Sequence, residues 1–135
     1  MKPAFSLSTA ESRAVLPASV PLRDAVANMG AVAGLVKAIL TSDLTLLARC
    51  LEDRLVTPVR KRLIPGYDAV VEAARAAGAV GAGIAGAGPS IFALCEGRDS
   101  AIEVASQMVE AFVAAGLEAQ AVVSAVNPRG VELVA

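Results

Sequence analysis

The sequence contains no histidine and no tryptophan, and only three phenylalanines and one tyrosine among its 135 residues. The absence of histidine removes the commonest general base and a common metal ligand. The two cysteines, Cys50 and Cys95, lack the spacing of a metal site, and their apolar neighbours predict buried free thiols in a reducing compartment. No Ser-His-Asp, Cys-His or paired-carboxylate catalytic group can be assembled, and no metal site is predicted.

The sequence also lacks a strong net charge and an uninterrupted apolar run. A net charge of −1 argues against a general polyanion binder, so no nucleic-acid partner is expected. No apolar segment follows Met1-Lys2-Pro3, so no signal peptide is expected. The longest apolar run, residues 25–40, contains Asn28 and Lys37, which predicts a buried helix and not a membrane span. We therefore expect a cytoplasmic protein with no membrane partner.

Small aliphatic residues are abundant, and apolar residues make up 56% of the chain. A chain of this length forms one domain, residues 1–135, with room for a sizeable core. The order of the predicted elements indicates the α+β class, with a ferredoxin-like β-α-β-β-α-β core. Extra helices are predicted between Ser8 and Pro58, as insertions into this core.

Local signals divide the first half of the chain. Residues 4–7 alternate and predict a strand, and Ser8 and Glu11 then have the spacing of a capping box that opens a short helix. Pro21 is placed to open a long helix, and a third helix is predicted from Ser42. The long helix carries one apolar stripe at spacings of three and four. Its members are Leu22, Val26, Met29, Ala33, Val36 and Leu40.

Gly30 and Gly34 lie on another face of the long helix, four residues apart. Glycines at this spacing allow a neighbouring helix to approach closely. We therefore expect either a packed helix of the same chain at this face or a homodimer interface.

The second half is predicted to alternate helices and strands. Gly78 should end a helix whose apolar stripe is Tyr67, Val70, Val71 and Ala74. Ser100 and Glu103 suggest a second capping box, followed by a helix that ends at Gly116. The predicted inner face of this helix consists of Ile102, Ala105, Val109 and Phe112. Beyond it we expect a strand over residues 119–126, a turn over residues 127–130 and a last strand over residues 131–134.

The most unusual stretch is Val80–Cys95, which is rich in glycine and contains no charged residue. It predicts a strand ending near Ala85, a tight loop over residues 86–89 and a second strand from Ser90. Its first half spells G-x-G-x-x-G, but a strand and not a helix follows, so no dinucleotide site is predicted. The loop amides can form a nest for an anion, or the glycines only permit the turn; the pattern leaves both open.

Arg13 and Arg60 are the best candidates for fixed cations, because a guanidinium binds a carboxylate or phosphate through two parallel hydrogen bonds. The alternative for Arg60 is a solvated basic face. That face would comprise Arg54, Arg60, Lys61 and Arg62, partly paired with Glu52 and Asp53. Asp24 and Asn28 share a helix face and are either polar ligands or surface residues.

Gly86-Ala87-Gly88-Pro89-Ser90, followed by an apolar strand, resembles the third motif of the GHMP kinase superfamily, which usually reads close to S-G-S-G-P-S/T. Other stretches resemble the homoserine kinases of that superfamily. In chain order, these are residues 13–17, 20–28, 58–60, 63–67 and 86–94. The resemblance covers nearly the whole chain, but only the C-terminal half of such a kinase.

The resemblance implies the substrate-side half of an enzyme that transfers the γ-phosphoryl group of ATP, with Mg²⁺, to the hydroxyl of L-homoserine in threonine biosynthesis. The loop that holds ATP in this family belongs to an N-terminal half absent from this sequence. The chain alone is therefore expected to bind no cofactor and to be inactive. No catalytic base can be assigned to it.

The resemblance also assigns roles to residues. Arg13 and Arg60 match the arginines that bind the amino-acid substrate, and we assign them to the homoserine carboxylate. Gly86, Gly88, Pro89 and Ser90 match the third motif, which backs the substrate and phosphate region. Ala85 and Ala87 stand where the family often has serine, so any hydroxyl contact there is missing.

Two alternatives remain open. One is another GHMP kinase, such as a member of the mevalonate pathway, against which the Arg60-to-Tyr67 segment argues. The other is a stand-alone ferredoxin-like module that binds an amino acid without catalysis.

Overall fold

A computed structural model describes residues 1–130 of the chain. Helices dominate the first half, and the strands alternate with helices in the second half. In chain order the elements are β1 (Lys2–Pro3), α1 (Thr9–Ala14), α2 (Leu22–Thr41), α3 (Leu44–Cys50), α4 (Thr57–Arg60), a 3-10 turn (Lys61–Leu63), α5 (Tyr67–Ala76), β2 (Gly81–Ile84), β3 (Ile91–Leu94), α6 (Arg98–Ala114) and β4 (Ala119–Gln120).

The strands form two antiparallel ladders. β1 pairs with β4, with Pro3 opposite Ala119, and β2 pairs with β3, with Ile84 opposite Ile91. The amide of Ile91 also donates to the carbonyl of Met1, at 2.9 Å, which brings β3 beside the start of β1. The two ladders remain separate two-stranded sheets that lie side by side at this bond. The predicted α+β class is confirmed, and the order β1, α5, β2, β3, α6, β4 matches the predicted core, with α1 to α4 inserted.

The core lies where α5 and α6 pack together against the strands. Both helices contribute fully or nearly fully buried side chains, and β3 adds Ile91. The buried face of α5 is the predicted one: Tyr67, Val70, Val71 and Ala74. The buried face of α6 consists of Val104, Met108 and Phe112, so the predicted inner face was wrong at Ile102, which is half exposed.

Local capping signals were right in some places and wrong in one. The Ser8 hydroxyl accepts from the Glu11 amide at 3.1 Å, and the Glu11 carboxylate accepts from the Ser8 amide at 2.9 Å, so the first capping box is confirmed. Gly78 and Gly116 follow the ends of α5 and α6 with positive φ, as predicted. The second capping box is not formed, because α6 begins earlier, at Arg98.

The terminal strands are shorter than predicted. β1 occupies residues 2–3 and not the predicted residues 4–7, because pairing with β4 across the chain sets its position. β4 ends at Gln120, so the prediction of a strand through residue 126 was wrong. The Asn127 side chain closes the predicted turn by donating to the Gly130 carbonyl at 2.7 Å. The strand predicted for residues 131–134 lies outside the described residues.

The prediction that α2 is a buried helix was wrong. Its apolar stripe faces water, with Leu22 and Leu40 each 79% exposed, and within α2 only Ala38 is fully buried. The opposite face packs on α3, where Gly34 lies against the Cys50 sulfur, so Gly34 serves a contact within the chain. A Cβ at Gly30 would meet nothing within 4 Å. Among the described residues α2 is also long and apolar enough to cross a membrane, but one such helix is weak evidence, because core helices and signal sequences meet the same criterion.

Candidate functional site

The side chain of Arg60, at the end of α4, joins two distant parts of the chain. Its Nε donates to the carbonyl of Ser12 at 3.0 Å, and its Nη1 donates to the carbonyl of Gly86 at 3.1 Å. These acceptors lie 48 and 26 residues away along the chain. Arg60 is therefore held in one orientation and is not part of a freely solvated basic face.

Ser12 makes a second connection at the same place. It is completely buried, and its hydroxyl donates to the carbonyl of Ala87 at 2.6 Å. The Arg60 and Ser12 side chains thus bind two successive carbonyls of the glycine loop, which comprises residues 86–89. As a result, α1, the end of α4 and the glycine loop meet at one site. Ser12 could not be identified from the sequence, since no local pattern marks a hydroxyl whose partner is 75 residues away.

The glycine loop is the tight connection of a β-hairpin, as predicted. The Ala85 amide donates to the Ser90 carbonyl at 2.8 Å, and the Gly88 amide donates to the Ala85 carbonyl at 3.1 Å. Gly86 and Gly88 have φ of +61° and +84°, a region that favours glycine. Among residues 1–130 the amides of Gly86 and Ala87 have no hydrogen-bond acceptor. Both interpretations of the loop therefore stay open. It forms the turn of a hairpin, and its Gly86 and Ala87 amides are available to an anion.

Asp53 fixes the segment that leads into α4. Its carboxylate accepts a hydrogen bond from Asn28 Nδ2 at 2.8 Å and from the three successive amides of Leu55, Val56 and Thr57, at 2.6–3.2 Å. The Asn28 side chain in turn accepts from the Arg54 amide at 3.0 Å. Asn28 is therefore a structural link between α2 and the Arg60 segment, by which we mean residues 53–60.

The hydrogen bonds to Asp53 change its ionisation. Removal from water would by itself raise the pKa of this carboxyl, but the bonds from Asn28 and the three amides outweigh that effect. They lower the pKa from 3.8 to about 2. The negative charge is thus favoured in the folded chain. From the sequence Asp53 was predicted only as a partner for nearby arginines. An aspartate shortly before a helix with proline in its first turn is a local signal for the role it has here.

We predict that Asp53→Asn destabilises the chain by about 1–2 kcal/mol at pH 7, after allowance for solvent screening of this half-buried group. Because the folded pKa lies below the unfolded one, this contribution is full above about pH 4 and disappears as the pH falls towards 2. Urea unfolding at pH 7 and near pH 2.5 measures it. Glu72→Gln, at an exposed position of α5, serves as control. An equal loss at both pH values would contradict the electrostatic origin.

The other charged candidates lie outside this network. Arg13 directly follows Ser12, but its side chain is exposed and makes no hydrogen bond or ion pair with any described residue. The rest of the basic segment is a solvated face: Arg54 lies 3.3 Å from Glu52, and Lys61 lies 2.8 Å from Asp68. Asp24 lies 3.6 Å from its neighbour Arg23.

The larger clefts among the described residues lie elsewhere. One of about 330 Å³ is bounded by the end of β3, the start of α6 and the segment after β4. Cys95 lines it, and burial raises the pKa of that thiol. Both cysteines are free and half-buried. Residues 1–130 contain no group of three His, Cys, Asp or Glu side chains that could hold a metal ion.

Comparison with known proteins identifies the family and relatives of this chain. The sequence model of the family described as "GHMP kinases C terminal" matches residues 35–114. The homoserine kinase of Synechococcus sp. strain CC9605 is 43% identical over 128 residues, which are 95% of this chain and 40% of that protein. The homoserine kinase of Moorella thermoacetica is 46% identical over 116 residues, which are 86% of this chain and 38% of that protein.

A solved structure gives the same result. The crystal structure of homoserine kinase from Cytophaga hutchinsonii superposes with a TM-score of 0.83 and 41% identity, over 85% of this chain and 36% of that chain. The present chain thus spans about 40% of the length of the relatives it matches. With the family match covering more than half of the sequence, the chain belongs to the GHMP kinases and corresponds to their C-terminal part.

Proposed function

We propose that this chain supplies the substrate-binding side of a homoserine kinase. In this proposal Arg60 and Arg13 bind the carboxylate of L-homoserine, and an N-terminal part like that of the relatives holds ATP and Mg²⁺. The observation that carries the proposal is the guanidinium of Arg60, which is fixed against the carbonyls of Ser12 and Gly86. That position lies where α1, the end of α4 and the glycine loop meet.

The chemistry of Arg60 fits a carboxylate ligand. A guanidinium has five N–H donors, and two of them are used by backbone carbonyls. The remaining three can bind a carboxylate through parallel hydrogen bonds, a geometry that a lysine cannot reproduce. Arg13 adds a second positive charge next to Ser12. Its side chain makes no hydrogen bond or ion pair with any described residue.

The glycine loop fits an anionic group beside the substrate. The open amides of Gly86 and Ala87 point to a small anion-binding nest, with Gly88, Pro89 and Ser90 completing the turn. When bound, ATP with Mg²⁺ supplies the phosphoryl group that is transferred. The described residues offer no carboxylate cluster for a metal, so the proposal assigns metal binding to the N-terminal part. The role of this chain is to orient the substrate and stabilise negative charge.

The direct test is ADP release from ATP, Mg²⁺ and homoserine. The chain is assayed alone and as a fusion, in which the part of the Moorella thermoacetica homoserine kinase that precedes its matched region is joined to Met1. We expect turnover by the fusion only. Turnover by the isolated chain would overturn the division of roles, and a fusion without turnover would count against the proposed function.

The same assay separates the alternatives. Replacing homoserine with mevalonate tests for another GHMP kinase, and faster turnover of mevalonate would favour that alternative. Saturable homoserine binding by the isolated chain, unchanged in the fusion, would favour a stand-alone binding module. We also propose a cytoplasmic location, which fits the two free thiols.

A further inference from the structure

The outer face of α2 carries the largest row of exposed apolar side chains on any described helix. The row runs the length of the helix, about 30 Å for 20 residues. Most of its large side chains are more than half exposed: Leu22, Val26, Met29, Val36 and Leu40, flanked by Val32 and Ile39. Soluble monomers rarely leave an apolar surface of this length to water.

The packing of α2 within the chain explains why this face is left open. Its other side uses small and polar residues for contacts: Gly34 and Ala38 lie against the rest of the chain, and Asn28 binds Asp53. The helix thus has two functional sides. One attaches it to α3 and to the Arg60 segment, and the other consists of large apolar residues without a partner among residues 1–130.

We infer that the outer face of α2 is the docking surface for the N-terminal part of the kinase. The relatives are about two and a half times as long as this chain, so they carry a large additional part. The family model for the C-terminal part begins at residue 35, so it leaves residues 22–34 of α2 outside its match. The inference rests on the proposed function only in its choice of partner.

The position of α2 also connects this surface to the proposed substrate site. Asn28 on α2 binds both the Asp53 carboxylate and the Arg54 amide, and this segment leads directly into Arg60. An N-terminal part that covers α2 is thereby set in a fixed relation to Arg60. A docked part that held ATP would approach the site from a defined side.

The test compares one substitution in two contexts. Met29→Arg places a charge at a side chain that is 72% exposed in this chain, so the melting temperature of the isolated chain should change by less than about 1 °C. In the fusion described above, the same change should lower the melting temperature by about 3–6 °C, because it would bury an unpaired charge. Val36→Arg, two turns further along the face, should behave alike, and Glu72→Arg on α5 should be neutral in both.

Several results would overturn the inference. Neutral Met29→Arg and Val36→Arg in the fusion would show that the N-terminal part does not cover α2. Two independent melting transitions in the fusion would show the same. A dimer of the isolated chain that dissociates with Met29→Arg, seen by analytical ultracentrifugation, would make a second copy the occupant. If the fusion binds phosphatidylcholine–phosphatidylglycerol vesicles and Met29→Arg abolishes this binding, the occupant of the outer face of α2 would be a membrane.

The test is separate from that of the proposed function. Thermal melting needs no substrate, whereas the wild-type fusion assayed for ADP release needs no variant. A fusion that responds to Met29→Arg but lacks turnover would retain the docking surface and reject the homoserine kinase activity. A fusion that shows turnover but whose melting temperature is unchanged by Met29→Arg would retain the homoserine kinase activity and reject the docking surface.

Discussion

Arg60→Ala in the fusion enzyme is expected to raise the KM for homoserine by at least about 30-fold. Removing one partner of a charged hydrogen-bonded pair costs about 2–5 kcal/mol, and 2 kcal/mol corresponds to about 30-fold. The two bonds to the carbonyls of Ser12 and Gly86 are lost as well, so the variant should also be less stable by about 1–3 kcal/mol. Initial rates at varied homoserine and thermal melting measure the two effects separately.

Two further variants make the result specific to Arg60. Arg62→Ala removes an exposed charge of the same basic segment and should change KM less than twofold. Arg60→Lys keeps the charge but cannot serve both carbonyls, so its KM should lie between those of wild type and Arg60→Ala. A lower melting temperature with an unchanged KM would show that Arg60 only holds the loop and α1 together.

Gly88→Val is expected to lower the melting temperature of the isolated chain by about 10 °C. The φ of +84° is unfavourable for a β-branched residue, and a Cβ there would lie 3.3 Å from Ile64 Cδ1 and 3.4 Å from Ile84 Cγ2. Strain and overpacking together cost about 2–4 kcal/mol, which corresponds to a shift of this size for a chain of 135 residues.

Gly86→Val is the matched control for the steric part. Gly86 has a φ of +61°, but a Cβ there would meet no heavy atom within 4 Å. Its substitution should therefore show only the backbone strain, about half of the effect at Gly88. Equal shifts for the two variants would mean that crowding by Ile64 and Ile84 contributes nothing, and an unchanged melting temperature for Gly88→Val would contradict the backbone geometry.

Features set by neighbouring residues could be predicted from the sequence. The Ser8–Glu11 capping box needs only a spacing of three, and the ends of α5 and α6 need only a glycine after the last turn. The hairpin around the glycine loop was equally local. The face of α6 was not, because alanine-rich turns place apolar residues all around the helix. Contacts with α5 and the strands, and not periodicity, choose Val104 over Ile102.

Features that depend on distant partners were missed or misjudged. The spacing of three and four residues correctly identified the apolar stripe of α2. Periodicity does not show what covers such a stripe, and within this chain the stripe is exposed. Arg60 could be proposed from its residue type and from the family resemblance. Its two carbonyl acceptors, the buried Ser12 hydroxyl and the bond from Asn28 to Asp53 depend on contacts across 25–75 residues, which no local pattern contains.

The pair of carbonyls that hold Arg60 has a consequence for the entropy of binding. A free arginine side chain carries about 2 kcal/mol of rotamer entropy, which a ligand must remove when it immobilises the guanidinium. Here Ser12 and Gly86 have already removed much of it during folding. A ligand that binds the remaining donors of Arg60 therefore meets a group that is ordered in advance, and more of its interaction energy is retained as affinity.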